Sequence, residues 1–180
     1  MDLKLIYGNM RALCEAPQMM LYYADIPYEY KMVWDHYGSS WAEVKKDIIF
    51  NRLPILIINE DRYIWQSNTI IRYLSNLTKT KPSDEFQLAY CDAVFESTHE
   101  MFSPLNPTIN MTFGEKYNSN KKKLLEDILP NSLNNFEKLL QNSSGNFFIG
   151  NDPYYCDFNA YHHFSMCLIL DKNIFSNLPN

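Results

Sequence analysis

The sequence predicts an α/β half followed by an all-α half, and three observations carry this prediction. Short apolar strands alternate with segments of helical spacing through the first 76 residues. From residue 84 onward, the apolar residues recur at helical spacing and give no convincing strand. Between the halves, a polar stretch breaks the periodicity and ends at Pro82, as is typical of a linker. We therefore predict domains over 1–76 and 84–180, joined by a linker over 77–83.

The elements follow from apolar spacing and from the residues that start or stop helices. In the first half we expect strand 3–7, helix 13–24, strand 28–33, a short helix near 41–47, strands 54–58 and 62–65, and helix 67–76. In the second half we expect helices at about 84–103, 121–141 and 154–171. Pro104 and Pro107 are expected to break the first of these helices, and Ser143-Ser144-Gly145 to end the second.

The composition is that of a globular chain and excludes several functional classes. Of 180 residues, 46% are hydrophobic and 21% are charged, which is not a disordered composition. The formal net charge of −5 argues against a nucleic-acid partner. No apolar run approaches the roughly 18 residues that span a bilayer, so no membrane role is expected. The four cysteines form no C-x-x-C pair, which favours a reduced, cytoplasmic chain and no metal site.

Two short motifs in the α/β half point to a ligand site. Pro54 directly precedes the apolar run Ile55–Ile58 and fixes the entry of a buried strand. Gln66 and Ser67 then open a helix; a serine there can cap it, and the free N–H groups of the first turn attract an anion. A strand entered through proline beside such a helix end is the construction with which a thioredoxin-like domain holds a small acidic peptide.

A third motif completes a family pattern. Leu3 to Arg11 reads as a short strand that delivers Tyr7 to a loop containing Asn9-Met10-Arg11. With Leu53-Pro54 and Gln66-Ser67, this stretch resembles the glutathione S-transferases, most closely their sigma class, which includes the glutathione-dependent prostaglandin D synthases. The resemblance covers nearly the whole chain. It implies the glutathione transferase fold, glutathione as co-substrate, a hydrophobic electrophile, a cytoplasmic homodimer and a role in detoxification.

The resemblance assigns the catalytic role to Tyr7. In the family, the tyrosine after the first strand donates a hydrogen bond to the glutathione sulfur and favours the thiolate, which is the nucleophile. From the residue alone, a packed tyrosine at a strand end is the alternative. The family commonly has Gly-Arg where this chain has Ala12-Leu13, so Leu13 removes a possible activating charge from the thiol site.

The remaining predicted contacts hold the three parts of glutathione. Trp41 and Lys45 match positions at its glycine end, and Arg52 matches a family lysine at the same carboxylate, beside Asn51. A surface lysine next to a half-buried tryptophan is the alternative there. Leu53-Pro54 matches the family's cis-proline turn, so the resemblance implies a cis bond that leaves the Leu53 backbone free to pair with the cysteinyl residue. From the residues alone, a trans proline on an edge strand is the alternative. By the resemblance, the two residues that hold the γ-glutamyl end are Gln66 and Ser67, of which Ser67 can also be a helix cap.

The helical half contributes Glu96 and an apolar stripe. In the family an aspartate at the Glu96 position reaches the glutathione amine of the other subunit; a solvated acidic face is the alternative. The stripe, expected to line the electrophile site or to pack in the core, comprises Met101, Phe102, Leu105 and Phe113.

Near the end of the chain, the family usually has Ser or Thr three residues before Asp157, where this chain has Tyr154. We therefore expect Asp157 to lose its usual capping partner. Together with Leu13, this departure favours an alternative function, that of a catalytically weak binding protein like the S-crystallins. Independently of these departures, the sigma resemblance permits a glutathione-dependent prostaglandin isomerase.

Overall fold

The computed structural model describes residues 1–179, and contacts divide them into two compact units, Met1–Lys81 and the chain from Pro82 onward. The first unit contains a four-stranded sheet in the order β2-β1-β3-β4. The strands are β1 (Leu3–Tyr7), β2 (Glu29–Met32), β3 (Ile55–Ile58) and β4 (Arg62–Trp65). Strand β1 runs parallel to β2 and antiparallel to β3, which forms a hairpin with β4. All four strands were predicted, with ends displaced by one residue at most.

Four α-helices accompany the sheet of the first unit. They are α1 (Glu15–Tyr23), α2 (Val33–Tyr37), α3 (Trp41–Val44) and α4 (Ser67–Leu77), with 3₁₀ turns at Lys45–Asp47 and Ile49–Asn51. The sequence did not predict α2. Its five residues are too few to show a period, and it ends at Gly38, whose φ of 67° is accessible to glycine without strain. Pro17 lies in the first turn of α1, where no backbone hydrogen bond is lost.

One face of the sheet packs on an apolar cluster that the site later depends on. Ile6, Val33, Ile48, Ile55 and Ile57 are buried together, and four partly buried residues pack against them, namely Trp41, Val44, Leu53 and Trp65. Strand β3 is buried at all four positions, which explains why its sequence is a continuous apolar run rather than an alternating one.

The second unit is helical: α5 (Glu85–Met111), α6 (Gly114–Lys123), a π-helical turn over Leu124–Ile128, α7 (Leu129–Gln141) and α8 (Tyr155–Leu170). The prediction that Pro104 and Pro107 break the first helix was wrong, because α5 continues through both. A proline inside a helix costs about 3 kcal/mol. Burial of apolar residues near the prolines, including Phe102 and Leu105, offsets this cost.

Helix α6 was also missed, since its sequence GEKYNSNKKK is polar throughout and buries no residue. A helix without an apolar stripe gives no periodic signal. Among residues 1–179, no helix has both the length and the apolar composition needed to cross a membrane.

Helices α5 and α8 form the centre of the second unit through aromatic and polar contacts. The ring of Phe95 meets Tyr155 edge to face at 5.4 Å, and Phe102 stacks on His163 at 3.9 Å between centroids. Asn159 Nδ2 donates to Thr98 Oγ1 at 2.8 Å in a fully buried position. These contacts order the two helices by specific partners in addition to apolar area.

The expected loss of a capping partner for Asp157 was wrong. Asp157 Oδ2 accepts a hydrogen bond from the Tyr154 backbone N–H at 2.9 Å, and Oδ1 accepts from the Phe148 N–H at 3.0 Å. The half of a capping box that depends on the third helical residue therefore survives the Tyr154 departure, because it needs only the backbone of the residue at the cap.

We expect Asn159→Ala to lower the free energy of unfolding by about 1–3 kcal/mol, since Thr98 Oγ1 would lose a buried partner. Chemical denaturation measures this change. The matched control is Asn134→Ala on the exposed side of α7, which should stay within about 0.5 kcal/mol of the parent. Equal effects of the two substitutions would show that the buried amide does not stabilise the α5–α8 packing.

Candidate active site

Sheet register brings three predicted site positions to one end of the sheet. Ile6 pairs with Ile55, so Tyr7 at the end of β1 lies next to the residue before Ile55, which is Pro54. Ile55 also pairs with Trp65, so Gln66 follows at the same end of β4. Tyr7, Pro54 and Gln66 therefore stand in a row across β1, β3 and β4, although 59 residues separate the first from the last along the chain.

The Leu53–Pro54 peptide bond is cis, as the sequence predicted. Among residues 1–179, the Leu53 backbone N–H and C=O form no hydrogen bond with any other group. Leu53 is half-buried on the apolar cluster under the sheet, which fixes its position. A donor and an acceptor that have no hydrogen-bond partner and lie next to a strand end can pair with an extended peptide.

Gln66 and Ser67 form the start of α4, with one difference from expectation. The residue that precedes the helix is Gln66, and Ser67 is its first residue, so the prediction that Ser67 caps the helix was wrong. Gln66 has φ 70° and ψ 120°, a backbone conformation that non-glycine residues rarely adopt and that is enriched at ligand sites. Ser67 is buried, and the start of a helix such as this one can bind a carboxylate.

Helix α3 carries Trp41 and is followed directly by Lys45. Trp41 is half-buried on the same apolar cluster as Leu53, and Lys45 is exposed. Glu43 accepts hydrogen bonds from Ser39 Oγ at 2.5 Å and from the N–H and Oγ of Ser40 at 3.0 and 2.7 Å. These hydrogen bonds lower the pKa of Glu43 to about 2. The three hydrogen bonds fix the first turn of α3, and Trp41 is the first residue of that turn.

Asn51 and Arg52 connect this region to the cis bond. Both side chains are exposed, and Asn51 has a φ of 49° directly after Phe50 with a φ of 66°. Arg52 returns to an extended backbone. Two successive residues in the left-handed region turn the chain sharply before it enters Leu53.

Tyr7 is held in a defined environment. Its side chain is 6% exposed, and its oxygen accepts a hydrogen bond from the Leu13 backbone N–H at 3.3 Å. Burial raises the pKa of Tyr7 to about 12, against a smaller lowering by that N–H. The hydroxyl therefore keeps its proton at neutral pH and is a hydrogen-bond donor there.

Two groups in this region were not found from the sequence. The Leu13 amide is a backbone group, and no residue pattern reveals where it points. Tyr30 Oη donates to the Gly8 carbonyl at 2.8 Å, which ties the loop after Tyr7 to β2. The pairing of β1 with β2 in parallel register brings these two residues together.

The residues predicted from the helical half lie in the second unit. Glu96 is half-buried on α5, and its proposed contact with glutathione stays a prediction. Met101, Phe102 and Leu105 are fully buried core residues, while Phe113 is 82% exposed. Of the two fates considered for the stripe, core packing is therefore the observed one for the first three.

His162 and His163 are also core residues of the second unit. Both are fully buried, and Nδ1 of His163 lies 3.1 Å from the Thr98 carbonyl oxygen. The pKa of His163 lies well below its usual value, mainly because the ring is buried. The ring is therefore neutral at neutral pH.

Comparisons with family models, with relatives in sequence and with solved structures all point to the same family. Residues 1–76 match the model of the glutathione S-transferase N-terminal domain, and residues 99–180 match that of the C-terminal domain. A glutathione S-transferase of Plasmodium yoelii yoelii is 32% identical over 79% of this chain and 74% of its own. Hematopoietic prostaglandin D synthase of Rattus norvegicus is 30% identical over 86% of this chain and 74% of its own. The Pi-class glutathione S-transferase structure of Onchocerca volvulus superimposes with a TM-score of 0.84 at 27% identity, covering 99% of this chain and 83% of that chain.

We expect Glu43→Ala to loosen α3, since it removes three hydrogen bonds that hold the start of the helix. Without these hydrogen bonds the first turn opens more often, so the amides of residues 41–44 should exchange about two- to thirtyfold faster. Hydrogen exchange read by mass spectrometry measures this rate. Glu115→Ala, in the first turn of α6, is the control and should leave residues 41–44 unchanged.

Proposed function

The chain belongs to the glutathione S-transferase family, and from this premise we propose that it joins the thiolate of glutathione to a soft, hydrophobic electrophile. Detoxification by conjugation is the role that this chemistry serves. The observation that carries the proposal is the common position of Tyr7, the cis Leu53–Pro54 bond and Gln66 at one end of the sheet.

Glutathione fits this end of the sheet in one orientation. Its cysteinyl residue pairs with the Leu53 backbone, as an added antiparallel segment would. Its γ-glutamyl carboxylate lies at Ser67 and the start of α4, with Gln66 beside it. Its glycine carboxylate lies toward the cations Lys45 and Arg52, next to two further residues of the predicted site, Trp41 and Asn51.

This orientation brings the cysteinyl sulfur toward Tyr7, the only one of these groups that acts on the reacting atom. The thiol loses its proton to solvent, and the Tyr7 hydroxyl donates a hydrogen bond to the sulfur anion that remains. The thiolate electron pair then forms a carbon–sulfur bond with the electrophile, and a leaving group departs with the electrons of its own bond. A free thiol has a pKa of about 8.5, so stabilising the anion raises the reactive fraction at neutral pH.

A second candidate function has one specific observation in its favour. Hematopoietic prostaglandin D synthases are among the relatives at 30% identity. The same thiolate could open a prostaglandin endoperoxide, with glutathione regenerated at the end of the reaction. An assay with an endoperoxide substrate, run beside an aryl-halide assay, separates isomerisation from conjugation.

The proposal includes a cytoplasmic homodimer. All four cysteines are free and buried, which is compatible with a reducing compartment. By analogy with the family, we propose that Glu96 of one subunit contacts the glutathione amine of the other, and this contact needs a dimer.

For Tyr7→Phe, the conjugation rate at neutral pH should fall by about one to three orders of magnitude, the contribution of one transition-state donor. The ring still packs, so glutathione affinity should be near normal. The loss should shrink as the pH rises, because solvent then deprotonates the thiol. Tyr22→Phe on α1, which is 86% exposed, is the control. If Tyr7→Phe keeps full activity at every pH, Tyr7 is a packing residue and does not act on the sulfur.

For Glu96→Ala, glutathione binding should weaken by about 1–3 kcal/mol, the cost of a lost charge-assisted hydrogen bond. Calorimetry measures the affinity and ultracentrifugation the oligomeric state, which should stay dimeric. Glu100→Ala, one turn further along α5 and exposed, is the control. A monomeric parent protein, or equal affinities for the two variants, would remove Glu96 from the site.

A further inference from the structure

The loop that follows Tyr7 is held by a side chain of the neighbouring strand, and the inference from this contact rests on the proposed function. We propose that Tyr30 is a positioning residue, whose hydroxyl holds the Gly8 carbonyl and thereby fixes the Tyr7 hydroxyl against the sulfur of glutathione. Tyr30 acts through the backbone next to Tyr7 and not on the reacting atoms. The assignment extends the site from β1 to β2.

Sheet register places Tyr30 and Tyr7 on the same face of the sheet. Strands β1 and β2 run parallel, with Leu5 paired to Tyr30 and Tyr7 paired to Met32. Paired residues of neighbouring strands lie on one face, and so do residues two apart on the same strand. Tyr7 and Tyr30 therefore share a face, with an offset of two residues along the strands. From the level of Leu5, the Tyr30 side chain extends along β1 as far as Gly8, the residue directly after Tyr7.

The contact between Tyr30 and Gly8 is a well-formed hydrogen bond. Tyr30 Oη donates to the Gly8 carbonyl oxygen at 2.8 Å, a typical length for an O–H···O bond. A carbonyl oxygen only accepts, so the direction of the bond is fixed. Tyr30 is half-buried, and burial is the largest cause that raises its pKa above the usual value, with the neighbouring Cys14 thiol adding to it. The hydroxyl therefore keeps its proton, and with it the hydrogen bond, at the neutral pH of a conjugation assay.

The start of this loop receives little support from packing. The three residues after Gly8 are exposed, and Ala12 is the next fully buried residue. A segment with few buried contacts opens at a low free-energy cost, so one hydrogen bond has a large influence on how often it is in place. Gly8 is bonded directly to Tyr7, and a catalytic group displaced by about 1 Å loses much of its effect on the reaction. The Tyr30 hydrogen bond therefore affects the position of the Tyr7 hydroxyl.

Removal of a single oxygen atom tests this role. Tyr30→Phe deletes the donor and keeps the ring. The matched control is Tyr28→Phe: Tyr28 is also half-buried, but its hydroxyl donates to Gln18 Oε1 on α1, at 3.3 Å, and not to the loop after Tyr7. Replacement of Tyr30 by para-aminophenylalanine, introduced by codon suppression, is the rescue variant, because its N–H groups supply a donor at the same place.

The readouts separate positioning from folding. One hydrogen bond is worth about two- to tenfold in an equilibrium constant, so in Tyr30→Phe the conjugation rate at neutral pH should fall by that factor. The pKa of the bound glutathione thiol, followed by thiolate absorbance, should rise by about 0.3–1 unit. The dissociation constant of glutathione should stay the same, because the groups proposed to hold its two carboxylates belong to other elements. Tyr28→Phe should change none of these values, and para-aminophenylalanine should restore them. In the Tyr7→Phe background, Tyr30→Phe should have no further effect, since it acts through the Tyr7 hydroxyl.

Two results overturn the inference and are distinguishable. A parent protein that binds glutathione without any thiolate at neutral pH defeats the proposed function, and the role of Tyr30 with it. A parent protein with thiolate, and the same thiol pKa in Tyr30→Phe, defeats the inference alone, as do equal shifts in Tyr30→Phe and Tyr28→Phe. Should Tyr30→Phe fail to fold by circular dichroism, para-fluorophenylalanine in place of Tyr30 fills the space of the hydroxyl without its proton, and an unchanged thiol pKa in that variant overturns the inference equally.

Discussion

The register between β1, β3 and β4 is the constraint on which the candidate site depends. A strand that slips by one residue turns every side chain to the opposite face. In this sheet such a slip would separate Ile6, Ile55 and Ile57, which are buried together in one apolar cluster. The burial of that cluster therefore fixes the alignment of Tyr7, Pro54 and Gln66. Apolar packing beneath the site thus fixes the relative positions of the three residues. They do not need to contact one another directly.

The same cluster explains how distant segments reach the site. Trp41 on α3 and Leu53 before β3 both pack against it, although they belong to different local structures. Trp41 is half-buried there, and Leu53 has a backbone N–H and C=O that form no hydrogen bond among residues 1–179. One apolar cluster therefore sets the distance between Trp41 and Leu53. A substitution that disturbs this cluster would disturb the contacts of a ligand with both residues.

The Tyr7 hydroxyl illustrates how burial can serve chemistry. Removing a phenol from water disfavours its anion, and the pKa of Tyr7 is raised to about 12. A tyrosine that ionised near neutral pH would repel a thiolate, whereas one that holds its proton donates to it. The Leu13 amide adjusts the same group in the opposite direction by a smaller amount. The two effects keep the hydroxyl protonated while improving it as a donor.

The sequence alone determined the strands and the two halves of the chain, because short-range apolar patterns carry that information. It also predicted the residues of the site from a few motif residues. The cis bond before β3 was predicted from the family resemblance and is present. Only the tertiary structure decided that α5 continues through Pro104 and Pro107, since burial against α8 outweighs a local cost that the sequence shows clearly. It also decided that Ser67 is the first residue of α4 and not its cap, and that the Leu13 amide donates a hydrogen bond to Tyr7. Backbone directions of this kind are set by how elements pack, and no pattern of side chains along the chain encodes them.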